Sequence, residues 1–343
     1  MAGVYRFSFG PWNIHTGSDP FGPAVRDEFS FAEKLEFYKK LGFEGVQFHD
    51  DDVVASADDP WSKQEAEAKK VRRLLDERGL TAEFVAPRLW EHTLGIDGSI
   101  TSNSAKARQY ALERSKRAVD IAHLVGARNI VLWPAREGTY LREAKDPVAS
   151  VARIVEWMNA LLEHSKDIRI LGEMKPNEPM DQAYLPTVGH FLGLAAFTVD
   201  PARVGALIES AHSILAGLDP SDDMAYALYQ KKLWSVHLND QNGLKFDEDK
   251  SFGVVDLRRA FNQVWVLERN NYGQNGEFVG LDVKALRTQV KEKSTRHLSN
   301  SREIFLRLVD LVRSLDVKKV DELRAARDYE ELDLLIVNHL MGR

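Results

Sequence analysis

Short apolar runs rich in Val, Ile and Phe alternate along the chain with longer segments in which charged and apolar residues recur at helical spacing. Strands covered on both faces read as such runs, and the charged segments between them suit helices that cross over to the next parallel strand. The pattern predicts strands near 4–9, 45–49, 82–86, 128–133, 168–173, 204–208, 232–238 and 278–283. The last is the shortest, because Glu277 to Leu281 follows the loop-like NNYGQNG. Helices are predicted over Phe31–Leu41, Ser62–Arg78, Ser104–Leu124, Val148–Glu163, Ser221–Gln230, Leu257–Arg269 and Ser301–Ser314, with a fainter one over His190–Phe197. In the third, Tyr110, Ala111, Arg114, Ala118 and Ile121 form one stripe, and Gly126 follows as a stop signal.

Eight strands, each with a helical segment to follow, predict an α/β fold, a (β/α)₈ TIM barrel spanning 1–316. Residues 317–343 read as a short C-terminal helical arm whose Leu323, Leu332, Leu335, Ile336 and Leu340 need cover, from the barrel or from a second subunit.

Composition narrows the function classes. A formal net charge of −6 gives no general attraction to a phosphate backbone, so nucleic acid is not an expected partner. There is no cysteine, which excludes disulfides, thiolate metal sites and cysteine nucleophiles. No apolar run approaches the roughly 20 residues that cross a bilayer, and the first residues lack a secretory pattern. A cytoplasmic protein with no membrane partner is expected.

Strand after strand ends in residues that a buried apolar segment would avoid: His49 with Asp50, Asp51 and Asp52; Trp133; Glu173 and Lys175; Glu209 and His212; His237; Asp282 and Lys284. In a closed barrel these ends meet at one rim. Several carboxylates facing one cavity repel one another, and a divalent cation is the common remedy. One site can be drawn from Glu173, Glu209, His237 and Asp282, and a second from Glu209, His212, Asp247 and Asp249, with Glu209 shared. Oxygen-rich ligation with one imidazole suits Mg²⁺, Mn²⁺ or Co²⁺, one or two per subunit. Each element has a plainer reading by itself: a solvated strand end at 49–52, a chance Glu-x-x-His, an acidic loop at Asp247 and Asp249, a core histidine at 237. Their joint occurrence at successive strand ends favours the metal. Trp12, Trp90 and Trp133 fall at or just past strands and suit either core packing or the dry wall of a pocket.

At these residues the chain resembles the D-xylose isomerase family, of the shorter actinobacterial type. The resemblance runs in order through GSDPFGPAV (17–25), FHDDD (48–52), DGSITSN (97–103), LWPAREG (132–138), EMKPNEP (173–179), LPTVGH (185–190) and HLNDQNGLKFDED (237–249), and resumes weakly at LDVKALR (281–287). It implies that His49 and Asp52 assist opening of a cyclic sugar, with Asp52 orienting the imidazole, and that Lys175 polarises the open-chain carbonyl. It further implies that the two carboxylate clusters are a structural and a catalytic metal site. Trp12, Trp90 and Trp133 become pocket walls, Phe21 reaches a neighbouring subunit's pocket, and Lys284 is a further lysine near the site. The activity implied is a 1,2 hydride shift between aldose and ketose, on a D-xylose- or D-glucose-like substrate, in a homo-oligomer (tetramer or dimer).

The departures are informative. The family has aspartate at the position of His237, proline at Met174, asparagine at Leu207, phenylalanine at Trp90 and Gly-Gly at Pro134-Ala135. Three carboxylates with one histidine is also the ligand set of related barrel epimerases, and some relatives cleave 3-keto sugars by elimination; there, carboxylates act as bases and one metal suffices. A sugar-binding protein on a decayed scaffold is the third reading, disfavoured by retention of His49, Asp52 and Lys175.

Overall fold

The computed structural model describes residues 5–244 and 247–343. The predicted strand start at residue 4, and Lys245 and Phe246 of the HLNDQNGLKFDED motif, lie outside the described residues.

Eight parallel strands close into a barrel: β1 (Arg6–Phe9), β2 (Gly45–His49), β3 (Thr81–Ala86), β4 (Asn129–Leu132), β5 (Arg169–Glu173), β6 (Val204–Glu209), β7 (Leu233–Leu238) and β8 (Phe278–Leu281). Every neighbouring pair is consecutive in sequence, and β1 closes on β8 with Arg6 opposite Phe278 and Phe9 opposite Leu281. All eight predicted strands are present. The helices are α1 (Phe31–Leu41), α2 (Asp50–Val53), α3 (Trp61–Asp76), α4 (Ala105–Val125), α5 (Pro147–His164), α6 (Val188–Ala195), α7 (Ser210–Leu215), α8 (Pro220–Tyr229), α9 (Leu257–Arg269), α10 (Arg296–Ser314), α11 (Val317–Ala326) and α12 (Tyr329–Leu340).

Local chemistry sets several of these bounds. Ser30 and Glu33 form a reciprocal capping box at the start of α1, and Gly42 ends it in the left-handed region at φ 76°. Asp146 caps α5 through the backbone N–H groups of Val148 and Ala149. The predicted helix at 301 begins five residues earlier, at Arg296, and the faint 190–197 pattern is the ordered α6.

Two layers of packing follow. Apolar residues pointing outward from the strands, such as Phe7, Phe9, Val46, Phe48 and Ile170, pack under the helices as one large core. Inside the barrel, Phe84, Ala86, Val131, Leu171 and Leu207 form a smaller apolar layer. Pairing between β2 and β3 slips so that Val46 faces Ala82 while Gln47 faces Phe84, which leaves Glu83 as the extra residue of a bulge. The tail folds back on its own barrel: α11 and α12 bury Val320, Leu323 and Ile336, and His339 Nε2 lies 2.7 Å from the Leu311 carbonyl of α10.

Candidate metal centre at the C-terminal mouth

The polar residues at the strand ends converge as a parallel barrel requires. Glu173 is the last residue of β5, Glu209 the last of β6 and directly opposite His237 on β7, and Asp282 follows β8. His237 Nδ1 lies 2.8 Å from Glu173 Oε1, 3.8 Å from Glu209 Oε2 and 3.9 Å from Asp282 Oδ2. One ligand atom from each of the four sits within 4.8 Å of all the others. Asp282 Oδ1 is anchored from the other side by the Trp12 indole N–H (3.0 Å) and the Asn13 amide (2.6 Å), so its second oxygen faces the cluster. Glu209 Oε1 likewise accepts from the Asn239 amide at 2.8 Å.

A second cluster shares Glu209. His212 Nε2 is 3.3 Å from Glu209 Oε1 and 3.1 Å from Asp247 Oδ2. Lys175 Nζ donates to the same Asp247 oxygen at 3.0 Å and to Glu178 Oε2 at 2.9 Å. Asp249 was expected as the fourth member, and here the structure differs: its carboxylate is paired with the Lys284 ammonium, and among the described residues Glu209, His212 and Asp247 are the three that gather as candidate ligands. The Lys284 backbone N–H also donates to the Asp249 carbonyl at 2.8 Å, so the loops after β7 and β8 hold that pair in place.

The electrostatics test whether these residues suit a cation. Burial, and then the surrounding Asp247, Asp282, Glu173 and Asp249, push Glu209 well above the ordinary carboxylate range. Burial and the neighbouring Asp247 push Asp249 up to about 8. Burial opposes charge on His237, yet the adjacent Glu173 outweighs it and lifts the imidazole to about 9; in return His237 overcomes the burial of Glu173 and holds it at about 2. Without a cation the cluster therefore takes up protons to relieve its own repulsion. His212 Nδ1, His237 Nε2 and Asp247 Oδ1 are buried with no partner. Oxygen-rich donors with one imidazole, crowded beyond what protein donors neutralise, fit a divalent ion such as Mg²⁺ or Mn²⁺ at Glu173, Glu209, His237 and Asp282.

Above the cluster is a cavity of about 370 Å³, ample for a monosaccharide. Trp12, Trp90 and Trp133 wall it; Trp90 meets Trp133 edge to face at 4.5 Å, and the Lys175 ammonium lies 5.4 Å from the Trp133 ring centre. A larger cavity of about 620 Å³ opens at the opposite mouth, around Arg6, Arg128 and Arg169, but the carboxylate–histidine clusters of the described residues all lie at the C-terminal end. Phe21 does not line the cavity and is 84% exposed.

His49 ends β2 with its ring between Trp12 (4.3 Å) and Trp90 (5.4 Å). Two groups approach its Nδ1: Asp52 Oδ2 at 3.2 Å and Arg88 Nη2 at 2.8 Å. Both cannot bond to it, since one accepts and the other only donates. Asp52 also accepts the His49 backbone N–H at 2.8 Å, so Asp52 and Arg88 both border the ring nitrogen. Sequence reasoning missed Arg88, Asn13, Asn239 and Glu178. Glu178 lies within the EMKPNEP motif and Asn239 within HLNDQNGLKFDED, and both could have been drawn from them; Asn13 and Arg88 are ordinary polar residues whose role appears only through the contacts.

The model of the xylose isomerase-like TIM barrel family matches residues 35–279. Among solved structures, the chain is similar to a D-tagatose 3-epimerase-like protein (TM-score 0.65, 15% identity, covering 90% of this chain and 98% of that one). It is also similar to a xylose isomerase domain protein from Alicyclobacillus acidocaldarius (0.61, 17%, 91% and 100%) and to 3-keto-D-glucoside 4-epimerase from E. coli (0.60, 16%, 88% and 100%). At these identities the likeness is one of fold.

Proposed function

The chain belongs to the xylose isomerase-like TIM barrel family, and from that premise we propose that it is a metal-dependent aldose–ketose isomerase acting on an open-chain sugar of the D-xylose or D-glucose kind. The observation that carries this reading is the sharing of Glu209 between two ligand clusters, with Lys175 held beside the second and His49 facing the same cavity. Glu173, Glu209, His237 and Asp282 would hold the cation, which when bound supplies positive charge to polarise sugar oxygens.

The chain's own groups do the rest. His49, flanked by Asp52 and Arg88, assists opening of the cyclic sugar by passing a proton to its ring oxygen. Lys175, whose charged form Asp247 and Glu178 secure against the cost of burial, offers a fixed cation to developing negative charge at the carbonyl. The tryptophans exclude water from the reacting carbons. In the isomerisation the C2–H bond breaks and a C1–H bond forms within the same molecule, while the O2 proton passes to O1.

With C2-deuterated D-xylose, retention of the label at C1 of the product is expected. Absence of turnover of every aldose tried with Mg²⁺, Mn²⁺ or Co²⁺ would overturn the proposal.

A second reading is a single-metal epimerase or lyase of keto sugars working by proton abstraction. The pairing of Asp249 with Lys284 supports it, since the second cluster among the described residues then has three members, and two of the similar structures are described as epimerases or epimerase-like. Under it, one cation suffices and solvent deuterium enters the sugar.

A further inference from the structure

The cavity of about 620 Å³ at the N-terminal mouth takes no part in the function proposed above. It opens where the strands begin, and four cations line it: Arg6, the first residue of β1; Arg128, just before β4; Arg169, the first residue of β5; and Lys231, shortly before β7. Two carboxylates also line it, and both are engaged locally. Glu83 accepts from Gln47 Nε2 at 3.2 Å and from Ser235 Oγ at 2.6 Å, while Glu277 accepts from the Asn275 backbone N–H at 3.0 Å and its side-chain amide at 3.2 Å. A chain of net charge −6 thus gathers an excess of positive charge around one cavity.

Arg169 is held in place without being neutralised. Its Nε donates to Asn129 Oδ1 at 3.0 Å, from the residue directly opposite on β4, and its guanidinium lies over the Trp234 ring at 4.6 Å. Gly205 of β6 makes room for that ring, since a Cβ there would fall 2.5 Å from Trp234 Cε3. Arg128 begins the neighbouring strand, its carbonyl accepting the Arg169 backbone N–H at 2.8 Å. Arg6 is paired with Glu44 at 3.0 Å. Among the described residues, by contrast, Arg169 has no ion pair, and the Arg128 and Lys231 side chains have no hydrogen-bond or ion-pair partner. Burial lowers Arg169 from its ordinary value; Glu277 opposes that fall and Arg128 adds to it. A half-buried cation beside a second cation is stabilised by an anion that meets both.

We infer that the N-terminal mouth binds a small molecule through a phosphoryl group, held between Arg169 and Arg128 with the exposed Lys231 beside them. A guanidinium presents paired N–H donors in one plane, which suit phosphoryl oxygens, and stacking on Trp234 fixes one of these forks in advance. The volume exceeds that of a single phosphate ion and leaves space for the rest of a phosphorylated metabolite. The site lies at the opposite end of the barrel from the metal centre and stands or falls apart from the isomerase reading.

The test is calorimetry on the full chain, freed of metal by chelation and held at about 0.15 M NaCl, where loose surface pairing is screened. Inorganic phosphate and glucose 6-phosphate are the separate probes. One saturable site per chain is expected. Arg128→Met and Arg169→Met should each weaken it about 10-fold or more, while Arg128→Met melts and binds Mn²⁺ as the wild type does. Tighter binding of glucose 6-phosphate than of inorganic phosphate assigns the site to a phosphorylated metabolite, and the reverse order assigns it to the free ion. Absence of saturable binding of either probe overturns the inference and needs no variant to fold. So does wild-type affinity in both variants, or binding that Lys284→Met removes, since the anion would then sit at the C-terminal mouth.

Discussion

Around Glu173, Glu209, His237 and Asp282 the outer partners are neutral: Trp12 and Asn13 donate to Asp282, Asn239 donates to Glu209 and to the Asp282 carbonyl, and none brings charge. Around Asp247 and Asp249, a few ångströms away, the partners are the ammonium groups of Lys175 and Lys284. Both places gather carboxylates and imidazole from distant strand ends. They differ in who neutralises them. In the first, the positively charged group among the carboxylates is the His237 imidazole, whose place the proposed ion would take; in the second, an entering cation would compete with two lysines. Residue type alone therefore overstates how alike two metal clusters are; the counter-charges beside them decide.

The most severe way to break this contrast is to remove the residue common to both. Glu209→Gln is expected to abolish tight Mn²⁺ binding and to lower turnover by roughly 10³-fold or more, measured by calorimetry and by sugar product formation. Lys175→Met acts on one side alone. Turnover should fall roughly 10²- to 10³-fold while the first Mn²⁺ binds as before, and a second Mn²⁺, now unopposed at Asp247, should bind more tightly; a loss of the first ion would contradict the division drawn here.

Metal removal sharpens it further. Asp249 is pushed up to about 8 and Glu209 well above its ordinary value by burial and crowding. Acids with raised folded-state values stabilise the fold while protonated, and that contribution is lost as the pH climbs from about 4, the unfolded value, through 8. Chelated protein should therefore melt at a lower temperature at pH 8.5 than at pH 6.5, with Mg²⁺ or Mn²⁺ reversing most of the difference. The smallest effect lies outside both clusters. Burial lowers His297 to about 4 despite the hydrogen bond between its Nε2 and the Asn13 carbonyl. A buried neutral histidine contributes stability that is complete above about pH 6.5 and lost as the pH falls toward 4. His297→Gln should flatten that acid limb by about 1–3 kcal/mol in urea melts at pH 5 compared with pH 7.

Much of this was written in the chain's pattern. Short apolar runs mark all eight strands, and a polar residue at or just past the end of such a run marks Glu173, Glu209, His237 and Asp282, because the hydrophobic requirement stops where the barrel opens. What the pattern does not carry is pairing. Nothing in the spacing of Asp249 and Lys284 says that they join each other, and Arg88 is separated by 39 residues from the histidine it contacts. Glu83 shows the same gap from another side. Its inward aim comes from a slip in the pairing of β2 with β3, a property of two strands together that neither strand's sequence displays.

Asp282 follows the eighth strand, yet the indole and amide that hold its outer oxygen come from Trp12 and Asn13, just past the first. The ring of strands must shut before that carboxylate is aimed. A nascent chain can lay down the first seven strands and still lack an ordered fourth carboxylate, so the proposed ion would find its full set of ligands only at the final closure. Such an ion would favour the completed circle over every open intermediate.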